Sequence, residues 1–319
     1  MTISRRRFLG GAAAAAWAAP SLAAPENKTG MPMRLLGKTK ARVSILGFGA
    51  GSRFLMYKEE DKALEALNRA IDAGINYIDT AQTYGAGESE RRIGVLMKTR
   101  RKEVFLVTKL QPRSYDEAMR AMEGCLARLQ TDHVDLVHIH GLEGAEDLAA
   151  IEAPDGVLKA LYRIRDEKMA RFIGATCHYD PQTLKTLLER HDLDSTQMAL
   201  NAARVGAGGP SGRRGAPVSF ETVALPVARR KGMGITAMKV FAQDRIPEAS
   251  AAELVRYAMS LPVACAVIGM PKLELLEENL RLAKSFRPMP AAEMKQLADR
   301  LSQAHKAELD RYFARHQDA

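Results

Sequence analysis

The chain has 319 residues, 46% of them hydrophobic, with no extreme bias; it can bury a core the size of one α/β barrel, and neither a fibrous nor a disordered class fits. The formal net charge of +9 is scattered along amphipathic helical patterns without any nucleic-acid-binding motif. That argues against nucleic acid as a partner and leaves a mild attraction for anionic small molecules.

The chain opens on a predicted export signal. Ser4-Arg-Arg-Arg-Phe-Leu9 matches a twin-arginine motif, an alanine-rich apolar run follows, and small residues place a cleavage site near Ala23 or Ala24. The expected partner is the twin-arginine export machinery and the expected location periplasmic or otherwise exported. The apolar run is shorter than the roughly 20 residues a bilayer needs, so no stable membrane span is expected. Residues 25–319 then read as a single domain, since no interdomain linker interrupts them.

A hairpin is predicted next, from 34–39 and 42–44. Short apolar runs of strand length recur at 45–49, 76–81, 104–110, 136–140, 172–176, 197–201, 235–240 and 266–270. Helical patterns lie between them at 60–73, 88–98, 115–129, 155–168, 181–190, 220–231, 251–261 and 272–284, with an appended helix at 291–315. Gly74 suits the left-handed residue that ends a helix before a strand begins. Strand and helix alternating in this way predict a (β/α)8 TIM barrel with a short N-terminal β-hairpin and an extra C-terminal helix. The hairpin would close the bottom of the barrel, and the chemistry would sit at the strands' C-terminal ends.

Four polar residues fall at those ends: Asp79 and Tyr84, then Lys109, then His140. A hydride arriving at a carbonyl carbon leaves negative charge on the oxygen, which calls for a proton donor and a second hydrogen-bond donor. Tyr84 and His140 fit those roles. A neighbouring ammonium, Lys109, stabilises the phenolate of Tyr84, and Asp79 holds the lysine charged and oriented. Taken singly, Asp79 also reads as a turn or cap residue and Lys109 as a strand-end lysine reaching water. His138, two residues before His140 on the same strand face, reads as a packed core histidine. Cys125, Cys177 and Cys265, odd in number and set in apolar runs, read as buried thiols, and no iron–sulfur spacing is present.

This set resembles the tetrad of the aldo-keto reductase family: Asp-x-Ala-x-x-Tyr-Gly after one strand, a Lys ending the next and a His ending the one after. Gly174-Ala-Thr-Cys177 resembles the family's Gly-x-Ser-Asn segment, Thr196-Gln197 with Asn201 its Asn-Gln segment, and Ile268-Gly269 through Glu278-Asn279 its adenine-binding stretch. The resemblance implies an NAD(P)H-dependent reduction of an aldehyde or ketone. It also implies that Thr176 and Gln197 bind the nicotinamide carboxamide, that Gly269 belongs to the adenine-binding stretch and that Glu278 and Asn279 contact adenine; Lys239 stands near the pyrophosphate in place of the family's usual Ser-Pro-Leu, where a positive charge suits the phosphates. Lys272, opening a helix after the eighth strand, favours NADP(H) over NAD(H) because its ammonium and the helix end both suit a 2′-phosphate. Cys177 departs from the family's Asn, which either loosens the nicotinamide site or is offset by His178.

Phe54, Tyr57, Leu142 and Phe241 are expected to line an apolar mouth for a small carbonyl substrate. The stretch 206–215, with Arg213 and Arg214, reads either as a mobile loop over that mouth or as an ordinary solvated loop. Two other functions share the pattern. One is a metal-dependent barrel hydrolase built on His138 and His140, although such hydrolases place their His-x-His pair on the first strand. The other is a redox-sensing scaffold that binds the cofactor without turnover. No metal site is expected for the reductase.

Overall fold

A computed structural model of the chain describes residues 25–206 and 218–316. Residues 1–24, where the export signal is expected, and residues 207–217, with Arg213 and Arg214, lie outside the described residues.

Strands β1 (Met33–Leu35) and β2 (Arg42–Ser44) pair antiparallel as the expected hairpin. The chain then alternates through β3 (Leu46–Gly49), α1 (Glu60–Asp72), β4 (Tyr77–Asp79), α2 (Glu88–Arg100), β5 (Phe105–Leu110) and α3 (Tyr115–Leu129). It continues with β6 (Val134–Ile139), α4 (Ala145–Ile151), α5 (Val157–Asp166), β7 (Ala170–Cys177), α6 (Pro181–Arg190) and β8 (Ser195–Ala199). Last come α7 (Ala224–Arg230), β9 (Gly234–Met238), α8 (Ala251–Ser260), β10 (Cys265–Ile268), α9 (Leu273–Lys284) and α10 (Ala291–Phe313). Strands β3 to β10 form a closed parallel barrel in chain order, β10 returning to pair with β3. The fold is the predicted TIM barrel with its hairpin and extra C-terminal helix.

Local chemistry explains several boundaries. Gly74, at φ +104°, ends α1 as expected, and a Cβ there would collide with the Thr29 hydroxyl, so only glycine fits. Asp180 caps α6 by accepting from the amides of Gln182 and Thr183, and Pro181 takes the first helical position, where its missing N–H costs nothing. Ser250 and Glu253 form a reciprocal capping box on α8.

Strand β8 starts two residues before the predicted run at 197–201. Ser195 and Thr196 look too polar for a buried strand, yet each hydroxyl donates to a neighbouring backbone carbonyl, of Gly234 at 2.9 Å and Ala175 at 3.1 Å, which removes the cost of burying it. Helix α4 was not expected at all; its seven residues lie in the connection after β6.

The lower barrel interior is a packed core. Tyr77 stacks on Phe105 with ring centres 5.5 Å apart, and Phe105 on Phe172 at 6.3 Å. Leu36 and Val43 of the hairpin region seal this cluster from below. A filled bottom leaves chemistry to the opposite, C-terminal face.

Candidate active site

Side chains alternate between barrel interior and helix layer along each strand, which turns Asp79, Lys109 and His140 inward at the top of β4, β5 and β6. Tyr84 follows in the loop after β4, and all four are buried, Lys109 only 1% exposed and Asp79 3%. Lys109 Nζ donates to Asp79 Oδ1 at 2.6 Å, to the Thr80 carbonyl at 2.8 Å and to Tyr84 Oη at 3.2 Å. A lysine has three hydrogens to give, so these contacts use all of them and fix the ammonium in place. Because Tyr84 Oη accepts from Lys109, the phenol's own hydrogen is directed elsewhere. The Lys109 ammonium also lies 4.8 Å from the Tyr84 ring centre. The His140 and Tyr84 rings meet edge to face at 5.6 Å.

A second layer holds these groups. Gln197 Nε2 donates to Asp79 Oδ2 at 3.1 Å, so both carboxylate oxygens are occupied. Arg113 grips Asp147 in a two-point ion pair at 2.6 and 3.0 Å and donates to the carbonyls of His140 and Gly141 at 2.9 and 3.1 Å. The Gly141 amide in turn donates to Thr176 Oγ1 at 2.8 Å. The backbone just after the His140 side chain is therefore pinned by Arg113, from the loop after β5, and by Thr176 of β7.

Above the tetrad lies a cleft of about 500 Å³, with Asp79, Tyr84 and Gln197 at one end and Leu275, Glu278 and Asn279 at the other. Its walls include Lys239, Phe241 and Gly269. Lys239 holds a left-handed backbone, φ 56°, and Gly269 presents backbone because a Cβ there would come 2.8 Å from Arg53. Arg53 and Asp244 form an ion pair that joins the loop after β3 to the loop after β9, and both line the cleft. Asn279 is 5% exposed, its amide nitrogen donates to the Leu275 carbonyl, and its Oδ1 is buried without a partner.

Other residues predicted for the site stand elsewhere. Phe54 is fully buried against Phe48, ring centres 5.5 Å apart, and Tyr57 packs beside it in the core. Neither lines the cleft, because the turn after β3 rolls these apolar rings inward and presents Ser52 and Arg53 instead. Leu142 is buried and borders a smaller neighbouring cavity. Lys272 is exposed at the start of α9, beside Pro271, which does line the cleft. Cys177 turns away: its thiol donates to the carbonyls of Leu142 and Asp180, and burial pushes its pKa up to about 12. His138 is fully buried under the tetrad with no partner on either ring nitrogen, and burial together with Lys109 pushes its pKa well below the ordinary histidine value. Among the described residues no three His, Cys, Asp or Glu side chains gather to hold a metal ion, and no helix is long and apolar enough to cross a membrane.

Sequence reasoning missed Arg53, Asp244 and His316, all cleft-lining. Arg53 and Asp244 lie 191 positions apart and share no motif. The one available signal for either was position, since each follows a barrel strand's C-terminal end.

Residues 45–252 match the model of the Aldo/keto reductase family. Among curated proteins, an uncharacterized oxidoreductase YqkF of Bacillus subtilis is 25% identical over 293 residues, covering 81% of this chain and 92% of that protein. L-galactose dehydrogenase of Arabidopsis thaliana is 34% identical over 161 residues, 46% of this chain and 49% of that protein. Among solved structures, aldo-keto reductase AKR11C1 from Bacillus halodurans superposes with a TM-score of 0.68 at 23% identity, over 85% of this chain and 96% of that one. An aldo/keto reductase from Klebsiella pneumoniae, in complex with NADP and acetate, gives 0.66 at 21%, over 84% and 95%.

Proposed function

The chain belongs to the aldo/keto reductase family, and from that premise we propose that it reduces an aldehyde or ketone to the alcohol with NAD(P)H, using Asp79, Tyr84, Lys109 and His140. One observation carries the reading: Lys109 Nζ stands at once 2.6 Å from Asp79 and 3.2 Å from Tyr84 Oη, the arrangement that turns a phenol into a usable acid–base group.

The cleft fits a nicotinamide dinucleotide. Its length joins the tetrad to Glu278 and Asn279, and the buried, unpartnered Asn279 Oδ1 is an acceptor suited to the amino group of adenine. Gly269 admits close backbone approach and Lys239 supplies positive charge for the phosphates. When bound, the reduced nicotinamide supplies the hydride. Gln197 and Thr176, already oriented by Asp79 and Gly141, hold the carboxamide end. The Klebsiella relative was solved with NADP, and Lys272 at the start of α9 supports NADP(H) over NAD(H) here.

His140 and Tyr84 hold the substrate oxygen between them, and Tyr84 gives that oxygen its hydrogen as negative charge develops. Lys109 stabilises the phenolate left behind. Asp79, anchored by Gln197, keeps Lys109 in place. Cofactor oxidation with a panel of aldehydes and ketones tests the reading, read by absorbance of the reduced nicotinamide. Turnover insensitive to a chelator supports it, whereas tight NADPH binding with no turnover of any carbonyl points to the sensing scaffold.

We also propose export through the twin-arginine route, carried by Ser4-Arg-Arg-Arg-Phe-Leu9. That route moves folded proteins, which suits an enzyme that takes its cofactor on in the cytoplasm. Replacing Arg5 and Arg6 by lysine should retain the protein in the cytoplasmic fraction; unchanged fractionation would count against the route.

A further inference from the structure

Strand β6 gives way to its loop at His140. The His140 amide still bonds within the barrel, to the Leu110 carbonyl at 2.9 Å, and the chain then turns through Gly141 with a left-handed backbone, φ 61°. In an extended strand successive carbonyls point to opposite sides. Here the left-handed residue brings the carbonyls of His140 and Gly141 together on one atom, Arg113 Nη2, at 2.9 and 3.1 Å. The guanidinium therefore meets the kink from which the His140 side chain projects.

Arg113 is itself immobilised. Its Nε and Nη2 donate to Asp147 Oδ1 and Oδ2 at 2.6 and 3.0 Å, and its Nη1 donates to the Gln111 carbonyl at 2.9 Å. Both charged side chains are only 18% exposed. A planar fork held on both prongs cannot rotate, and a lysine ammonium cannot reproduce that geometry. Asp147 closes the same loop from its far side, since Oδ2 also accepts from the Glu143 amide at 3.0 Å. Helix α4 thereby reaches the catalytic face through one carboxylate. Neither Arg113 nor Asp147 lines the cleft.

The His140 ring has separate contacts. Thr83 Oγ1 lies 3.4 Å from its Nδ1, and the Tyr84 ring meets it edge to face. These contacts set the ring's rotation, whereas the backbone sets where the ring stands. Position matters for a donor to a developing oxyanion, because a shift of about 1 Å caused by a change remote from the chemistry costs on the order of 100-fold in rate.

We propose that Arg113, fixed by Asp147, is a positioning residue for the reduction: without touching substrate or cofactor, it sets where His140 stands against the substrate oxygen. The inference rests on the reductase reading and on the role of His140 within it.

A double-mutant cycle tests it, using NADPH and the fastest carbonyl of the aldehyde and ketone panel. Arg113→Met should lower kcat/KM by roughly 10- to 100-fold, while the Kd for NADPH, titrated by fluorescence, stays within about twofold of wild type. In a His140→Ala background the same replacement should cost less than about threefold more, because the group it positions is gone. Arg113→Lys should recover little of the loss, and Asp147→Asn should show a smaller loss with the same dependence on His140. A loss that multiplies in full with that of His140→Ala, an equal fall in NADPH affinity, or wild-type kcat/KM in Arg113→Met overturns the proposal and leaves the reductase reading standing. Where Arg113→Met does not fold, Asp147→Asn carries the same cycle; if neither folds, the pair serves the fold alone and the proposal falls. Turnover of no carbonyl by the wild type overturns both readings.

Discussion

Gln197 reaches across the barrel to Asp79, its Nε2 donating to Oδ2 at 3.1 Å. The two residues stand on β8 and β4, on opposite sides of the ring, 118 positions apart in sequence. The carboxylate that holds Lys109 with one oxygen is thus itself held by the other. Replacing Gln197 by leucine leaves Oδ2 buried without that donor, a loss of about 1.5–3 kcal/mol for a hydrogen bond to a charged group. Thermal unfolding should show a lowered Tm and steady-state kinetics a weaker cofactor interaction. A variant as stable as wild type would mean that the contact carries no weight.

Tyr84→Phe removes the phenol hydrogen and little else, since the ring contact with His140 survives. Turnover should fall roughly 100-fold or more with cofactor affinity little changed, the scale of a lost general acid. Wild-type turnover in this variant would remove Tyr84 from the proton step.

Lys109→Met takes away the ammonium 3.2 Å from Tyr84 Oη while keeping most of the side-chain volume. Without that charge the phenolate is less favoured. Turnover should drop, and the basic limb of the pH–rate profile should move to higher pH. A limb that stays in place would show that Lys109 serves only to pack.

Cofactor choice is tested at Lys272. One charge-assisted hydrogen bond to a 2′-phosphate amounts to about one to two decades in dissociation constant. Lys272→Ala should weaken NADPH by that factor and leave NADH nearly untouched, followed by the nucleotides' own fluorescence. Equal losses for both would assign Lys272 a structural role, and a wild type preferring NADH would reverse the expected preference.

Glu221 gives the fold a pH dependence of its own. Both its carboxylate oxygens accept from the Tyr257 hydroxyl, at 2.8 and 3.0 Å, and burial pushes its pKa up from 4.5 to about 7. The folded state therefore holds this proton more tightly than the unfolded chain. The resulting stabilisation is full below pH 4.5 and is lost as pH rises through about 7. Glu221→Gln should flatten that part of the Tm–pH curve, and parallel curves for the two proteins would contradict it.

The barrel and the order of the four tetrad residues were legible in the sequence because both are local. Strand-length apolar runs alternating with helical periods specify strand and helix, and strand ends in such an alternation share one face. Gly74 was equally local, acting through its own backbone. Contacts made by residues distant in the chain were not legible. Whether Phe54 faces the cleft or the core depends on how the turn after β3 packs on Phe48, and the pairing of Arg53 with Asp244 depends on two loops meeting across the barrel mouth. His316 came from a helix whose docking on Gly206 and Arg245 no periodicity reveals. Pattern decides which face of an element is apolar; only packing in three dimensions decides what that face, and the polar ends above it, will touch.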